Sequence, residues 1–307
     1  MEESIASPPT SHVHNVWGAA YASLPAAERR LLELLGPRNF LGWATVARGE
    51  RAAGRLVVAR AKAADVVARI EAEGTPCRRA RFDMVEVESP VSGTVHAGRR
   101  VERDSVAEGR AVVVLGRDAE FLDGVELAES HDHHDLLGQL LGYPACCVDF
   151  YRRHTALGHD LTPASIGDPG PHPRLLNPLL AHLFELPLLF HFPCSPRCAE
   201  SRQLATGRAD YLRRLDPGFE ELFDLARGLA LYGPELGMVQ IPAAGDATGP
   251  DGTQTLSITA VMASSEDVRR RLASTGPPWE LRVEGPHRFR FGPWAIDDPQ
   301  SFVARFD

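Results

Sequence analysis

Two close pairs of cysteines constrain this chain more than any other feature. Four of its five cysteines are Cys146 and Cys147, in the stretch YPACCVDFY, and Cys194 and Cys198, in HFPCSPRCAES. Neighbouring cysteines do not readily form a disulfide with each other, because that bond requires a specific separation of the two Cβ atoms. If the four thiols act as one site, the fold must bring two distant segments together.

Both pairs are predicted to lie at the start of a helix. Pro144 stands two residues before Cys146. A second helix is predicted over 195–216, with Ser195 as its N-cap and Pro196 at its first position. Cys194 would precede this helix, and Cys198 would lie one turn inside it. Helix N-termini carry unpaired N–H groups and a partial positive charge, which lower the pKa of a thiol. Two such termini would present four thiolates to one metal centre.

Four thiolates suit either an iron–sulfur cluster or a structural zinc ion. Zinc sites usually separate paired cysteines by two to four residues, and the adjacent first pair departs from that pattern. Two neighbouring cysteines reach two corners of a cuboidal cluster more easily than two vertices of a small tetrahedron. The sequence therefore predicts a [4Fe–4S] cluster, with zinc as the alternative cofactor; buried cysteines without a metal are a third interpretation. The predicted ligands are Cys146, Cys147, Cys194 and Cys198.

The stretches LLGQLLGYPACCVDFY and FHFPCSPRCAESRQLA resemble the paired signatures of a prokaryotic domain family of unknown function. Members of that family carry Gly-Tyr-Pro-x-Cys-Cys, followed later by Pro-Cys-Ser-x-x-Cys. The resemblance covers about residues 115–215. It implies a bacterial or other prokaryotic source and a metal centre on the same four cysteines, but no particular reaction.

Histidines close to the cysteines are candidate catalytic groups. The stretch HDHHD occupies residues 131–135, and on one helix His131 and His134 would share a face. Imidazole and carboxylate groups at this spacing can bind a metal or relay protons, although a solvated first helical turn has the same composition. His191 lies three residues before Cys194. The alternative for His191 is a hydrogen bond to a backbone carbonyl. We predict catalytic roles for His131, His134 and His191.

Cys77 stands apart from the two pairs, beside Arg78 and Arg79. The two arginines would lower the pKa of this thiol and make it reactive. An exposed residue without a role is the other interpretation.

Composition excludes several classes of function. The chain has 33 basic and 41 acidic residues, a net charge of −8, which makes nucleic acid an unlikely partner. No apolar run reaches membrane-spanning length, and the N-terminus lacks a signal-peptide pattern, so we predict a cytoplasmic protein with reduced thiols. Its single lysine, Lys62, lies in an ordinary helical pattern, which argues against Schiff-base chemistry.

The pattern of helices and strands predicts an α+β fold. We expect a flexible tail over 1–20 and a small α/β domain over 21–125, where short β-rich runs alternate with helical ones. A helical domain rich in Cys and His follows over 126–234 and carries the metal. A small, β-rich α+β region completes the chain over 235–307.

These features together predict an intracellular iron–sulfur enzyme that performs redox or sulfur-related chemistry on a small molecule. It would be an oxidoreductase, a lyase or a sulfur-transfer enzyme, and an electron-donor protein is a further expected partner. Two alternatives belong to other classes. One is an interaction or regulatory module whose helical domain is stabilised by a structural zinc ion. The other is a metal-free thiol redox protein that cycles a bridge between Cys194 and Cys198.

Overall fold

A computed structural model describes residues 10–87, 97–107, 109–156, 161–166, 170–233, 236–242, 254–258, 261–263, 266–285, 287–299 and 301–307. The described residues combine helices with antiparallel sheets, which confirms the predicted mixed α+β class. They form two compact units. The N-terminal unit contains the described parts of 19–89 and 96–153, and the C-terminal unit contains those of 1–18 and 154–307.

The helices and strands are numbered in chain order. The α-helices are α1 (Thr10–Ser23), α2 (Ala26–Ala47), α3 (Ala63–Ala72), α4 (Ala119–Ser130), α5 (His134–Leu140), α6 (Ala145–Ala156), α7 (Leu161–Ile166), α8 (Leu179–Leu183), α9 (Ala199–Leu215), α10 (Phe219–Leu225) and α11 (Glu266–Thr275). Short 3-10 helices occupy Arg60–Lys62 and Arg174–Leu176. The strands are β1 (Ala53–Val58), β2 (Cys77–Val87), β3 (Ala97–Glu102), β4 (Arg110–Gly116), β5 (Gly228–Gly233), β6 (Gly237–Ile241), β7 (Gln254–Ile258), β8 (Met262–Ala263), β9 (Trp279–Gly285), β10 (Arg288–Phe291), β11 (Trp294–Asp297) and β12 (Phe302–Phe306).

The N-terminal unit is built on one antiparallel sheet with the strand order β1-β4-β2-β3. The sequence of β4, RAVVVLG, is buried at every position after its first residue, as expected for a central strand covered on both faces. Helices α2, α3 and α4 pack against this sheet. Leu122 and Val125 of α4 join Val112 and Val114 of β4 in one apolar core.

The C-terminal unit contains two antiparallel sheets with the strand orders β11-β10-β9-β7 and β12-β5-β6-β8. Residues of both sheets, including Val239, Leu281 and Phe291, form a common core with Leu272 of α11. Helix α10 packs against α9 and against the 3-10 helix at Arg174–Leu176. This arrangement positions α9, which begins beside the second cysteine pair.

The structure differs from the predicted organisation in two places. A flexible tail is predicted over 1–20, but α1 begins at Thr10, and Trp17 is buried edge-on against Phe219 at 5.0 Å. Residues 1–9 lie outside the described residues. The predicted boundary between 234 and 235 falls between β5 and β6, which pair in one sheet. The remaining domain limits stay predictions.

None of the helices in the described part of the chain combines the length and the apolar character that a membrane span requires.

Candidate metal centre

The four paired cysteines lie close together in the structure. The Sγ atoms of Cys146, Cys147, Cys194 and Cys198 are all within 4.8 Å of one another. The two sulfurs of the adjacent pair are 3.9 Å apart. Among the described residues, these four cysteines are the one group of His, Cys, Asp or Glu side chains whose ligand atoms lie close enough together to hold a metal ion.

A sharp corner between α5 and α6 places the first pair. Gly142 ends α5 with a φ of 70°, a left-handed conformation that glycine adopts at little cost. The next N–H in the chain donates to the Gly138 carbonyl at 2.9 Å, which satisfies one of the last carbonyls of the helix. Pro144 then precedes α6, and its carbonyl accepts the N–H of Cys147 at 2.9 Å. Cys146 and Cys147 therefore lie in the first turn of α6, as predicted.

The same corner depends on a close approach of α5 to α6. A Cβ atom added at Gly138 would lie 2.5 Å from Cγ2 of Val148. We therefore expect Gly138→Ala to push the first turn of α6 away and to destabilise the fold by about 2 kcal/mol. Urea unfolding of this variant measures the loss.

Val148→Ala removes the methyl group that the new Cβ atom would meet. The double variant is therefore expected to lose less stability than the sum of the two single variants. Gly207→Ala in α9 is the matched control, because nothing lies within 4 Å of a Cβ atom there. Strictly additive losses for Gly138→Ala and Val148→Ala would contradict the proposed contact.

The second pair lies around the start of α9, which begins at Ala199 with Cys198 as its N-cap residue. The prediction of a helix start at Ser195 is therefore wrong. The Ser195 hydroxyl accepts the N–H of Arg197 at 3.2 Å, and its carbonyl accepts the N–H of Cys198 at 3.1 Å. Local bonds of this kind compete with helix formation, and here they form a turn that carries Cys194 and Cys198.

Two buried side chains of α9 hold the segment that leads to this turn. Ser201 is fully buried, and its hydroxyl lies 2.9 Å from Nε2 of His191. Arg208 is 5% exposed, donates to the Leu188 carbonyl at 2.5 Å and stacks over the ring of Phe190. A spacing of seven residues puts Ser201 and Arg208 on one face of α9. Residues 188–191 therefore follow that face of the helix.

His191 thus has a defined structural partner. It does not belong to the four-sulfur group, and its ring contacts the Ser201 hydroxyl. Its catalytic role stays a prediction.

Exposure differs among the four sulfur ligands. Cys147 is 2% exposed and Cys198 is 8% exposed, whereas Cys194 is half-buried and Cys146 is exposed. The site therefore presents one of its thiols to solvent.

The shared helical face predicted for His131 and His134 is wrong. His131 follows the end of α4, and Nδ1 of its ring lies 3.0 Å from the Leu127 carbonyl. The chain then changes direction at Asp132, which has a φ of 55°, and α5 begins at His134. The two histidines consequently belong to different helix ends.

The HDHHD stretch instead lines an open pocket of about 610 Å³ in the N-terminal unit. The rings of His131 and His133 stack at 5.9 Å, and the ring of His134 meets the edge of Tyr151 at 5.5 Å. Tyr151 belongs to α6, the helix that carries the first cysteine pair. The lining residues are Leu127, His131, Asp132, His133, His134, Asp135, Leu136 and Arg152. These histidines form no metal-holding group within the described residues, so their catalytic role also stays a prediction.

Cys77 is neither exposed nor activated. It is 5% exposed, and burial, together with the nearby charge of Glu71, raises its pKa to about 12. Arg78 and Arg79 do not activate the thiol; they pair with Glu126 and Asp83. Cys77 therefore provides an inert thiol for comparison with the clustered cysteines.

Comparison with protein-family models, with curated proteins and with solved structures finds no match to this chain. The family resemblance of the two cysteine stretches therefore stays a prediction. The four clustered cysteines can hold a metal ion.

Proposed function

We propose that the four cysteines hold a single zinc ion and that this centre staples the fold of a cytoplasmic interaction or regulatory module. The spacing of the sulfurs supports the proposal. Sulfurs at about 2.3 Å from a tetrahedral zinc ion lie about 3.8 Å from one another. The separation of Cys146 and Cys147 is 3.9 Å, and all four sulfurs lie within 4.8 Å of one another.

A closed set of four thiolates fits a structural role. Catalytic zinc sites usually keep one coordination position for water or substrate, whereas structural sites fill all four positions with protein ligands. Here the ligands come from the start of α6 and from the turn before α9. A zinc ion bound to both segments would add its binding free energy to the stability of the fold.

The second candidate is the enzyme with a [4Fe–4S] cluster that the sequence predicts. It is favoured by the adjacency of Cys146 and Cys147, since successive residues of a helix point about 100° apart and can reach neighbouring corners of a cluster. Such an enzyme would act on a small molecule, with the pocket at 131–136 as the binding site and a protein as electron donor. The close spacing of the sulfurs favours the single ion, because each cysteine of a cluster binds a separate iron and stands farther from the others.

Metal analysis of protein purified without oxygen tests both candidates. We expect one zinc ion per chain, no visible absorption, and thiolate-to-cobalt absorption when cobalt replaces zinc. Cys198→Ala should abolish metal binding, and Cys77→Ala is the matched control because its thiol lies outside the group. Iron with acid-labile sulfide would establish the cluster instead. A chain without metal, even after reconstitution, would reject both candidates and leave thiol redox chemistry.

A further inference from the structure

The unequal exposure of the four sulfurs divides the ligand set. Cys147 and Cys198 are buried, and backbone hydrogen bonds fix their positions: the N–H of Cys147 donates to Pro144, and the N–H of Cys198 donates to Ser195. The Cys198 carbonyl also accepts the first bond of α9, from the N–H of Arg202 at 3.0 Å. A buried side chain on a backbone held in this way has little room to rotate its sulfur away from a metal ion.

Cys146 lies in a different environment. The residue is exposed, whereas Cys147 and Cys198 are buried, so solvent and small solutes reach this ligand most readily. An exposed side chain also regains rotamer freedom when it leaves the metal, whereas a buried one does not. Departure of Cys146 therefore leaves α6 and its buried contacts in place.

We propose that Cys146 is the exchangeable ligand of the metal centre and that a small external thiol can take its coordination position. The inference rests on the proposed single-ion site. In the exchange, the incoming thiol gives up its proton and binds the metal through its thiolate. The Cys146 thiolate leaves the metal and accepts a proton, so no oxidation or reduction occurs. The centre would then have three retained protein ligands and one exchangeable position, while the three retained ligands still join the start of α6 to the turn before α9.

Cobalt-loaded full-length protein tests the exchange. We expect Cys146→Ala to keep one cobalt ion per chain, with weaker thiolate-to-cobalt absorption that recovers when 2-mercaptoethanol is added. Cys147→Ala is the matched variant, since it removes the neighbouring but buried sulfur. It should lose cobalt, and the thiol should not restore the absorption.

Alkylation of the wild-type protein provides a test that does not depend on the folding of a variant. Iodoacetamide should modify Cys146 of the metal-loaded protein before the other clustered cysteines, as its sulfur bonds to the CH₂ carbon and iodide leaves. Peptide mass spectrometry identifies the modified residue.

The outcomes separate this inference from the proposed function. If the wild-type protein binds no cobalt, the single-ion site itself fails, and the exchange fails with it. If the wild-type protein binds cobalt but Cys146→Ala and Cys147→Ala behave alike, only the exchange is overturned. Equal alkylation of all four clustered cysteines in the loaded protein would overturn it as well.

Discussion

Removal of the metal is expected to lower the free energy of unfolding by about 4 kcal/mol when free zinc stands about 1,000-fold above its dissociation constant. The reason is linkage: a ligand set drawn from the start of α6 and from the turn before α9 exists in the folded chain and not in the unfolded one. Urea unfolding of zinc-loaded and chelator-treated protein measures the difference.

Two variants identify the source of this effect. Cys198→Ala should have the stability of the chelator-treated protein and should no longer respond to zinc. Cys77→Ala should still respond, because Cys77 lies outside the sulfur group. If chelator leaves the unfolding midpoint of the wild-type protein unchanged, the centre does not contribute to the stability of the fold.

The second large effect is expected at Asp83, a fully buried carboxylate in β2. It lies where the pairing of β2 with β4 shifts its register. Its oxygens are 2.8 Å from the guanidinium group of Arg60 and 3.0 Å from that of Arg79, and one accepts the N–H of Asp104 at 3.0 Å. The carboxylate therefore joins three parts of the N-terminal unit.

Loss of this carboxylate removes the buried partner of two largely buried guanidinium groups, which then keep only the more exposed Asp104 carboxylate. We expect Asp83→Ala to destabilise the protein by about 3 kcal/mol, the lower end of the range for breaking a buried ion pair. Asp123→Ala is the matched control, since Asp123 pairs with Arg78 at 2.6 Å on the exposed surface. Surface pairs contribute about 1 kcal/mol or less. Equal losses in the two variants, measured by urea unfolding, would contradict this assignment.

The effect of Asp83 also depends on pH. Burial acts to raise the pKa of Asp83, but the Asp104 N–H and the guanidinium groups of Arg79 and Arg60 outweigh it, so the pKa lies below its ordinary value of 3.8. The stabilisation is therefore present above pH 3.8 and is lost as the pH falls through the folded-state pKa. The difference in unfolding free energy between wild type and Asp83→Ala should shrink as the pH falls from 3.8 through the folded-state pKa of Asp83. A difference independent of pH would show that packing, not charge, carries the effect.

Local patterns were enough to predict many of the elements. The apolar run of β4 is typical of a central strand, and the helical pattern at Lys62 leads into α3 in the structure. The corner at Gly142 and Pro144 follows from residue chemistry, since glycine favours a left-handed helix end and proline a helix start. These features depend on neighbours in the chain, which a sequence displays directly.

Features set by distant contacts could not be predicted in this way. Asp adopts the left-handed conformation more readily than most residues, but the HDHHD pattern does not show that Asp132 does so and separates His131 from His134. The roles of Ser201 and Arg208 were missed; their spacing of seven residues was the available signal, but their partners precede α9. The choice between one ion and a cluster likewise depends on distances between sulfurs that only the folded chain defines.

The hydrogen bonds that hold residues 188–191 along α9, and those that form the corner before α6, join protein groups only. Each cysteine segment therefore has protein hydrogen bonds of its own, which would lower the cost of ordering it when the proposed ion binds. The chain would then bind its metal ion reversibly. It could release its ion when free metal is scarce and take up another later while remaining folded, so the fraction of loaded molecules would follow the metal supply around them.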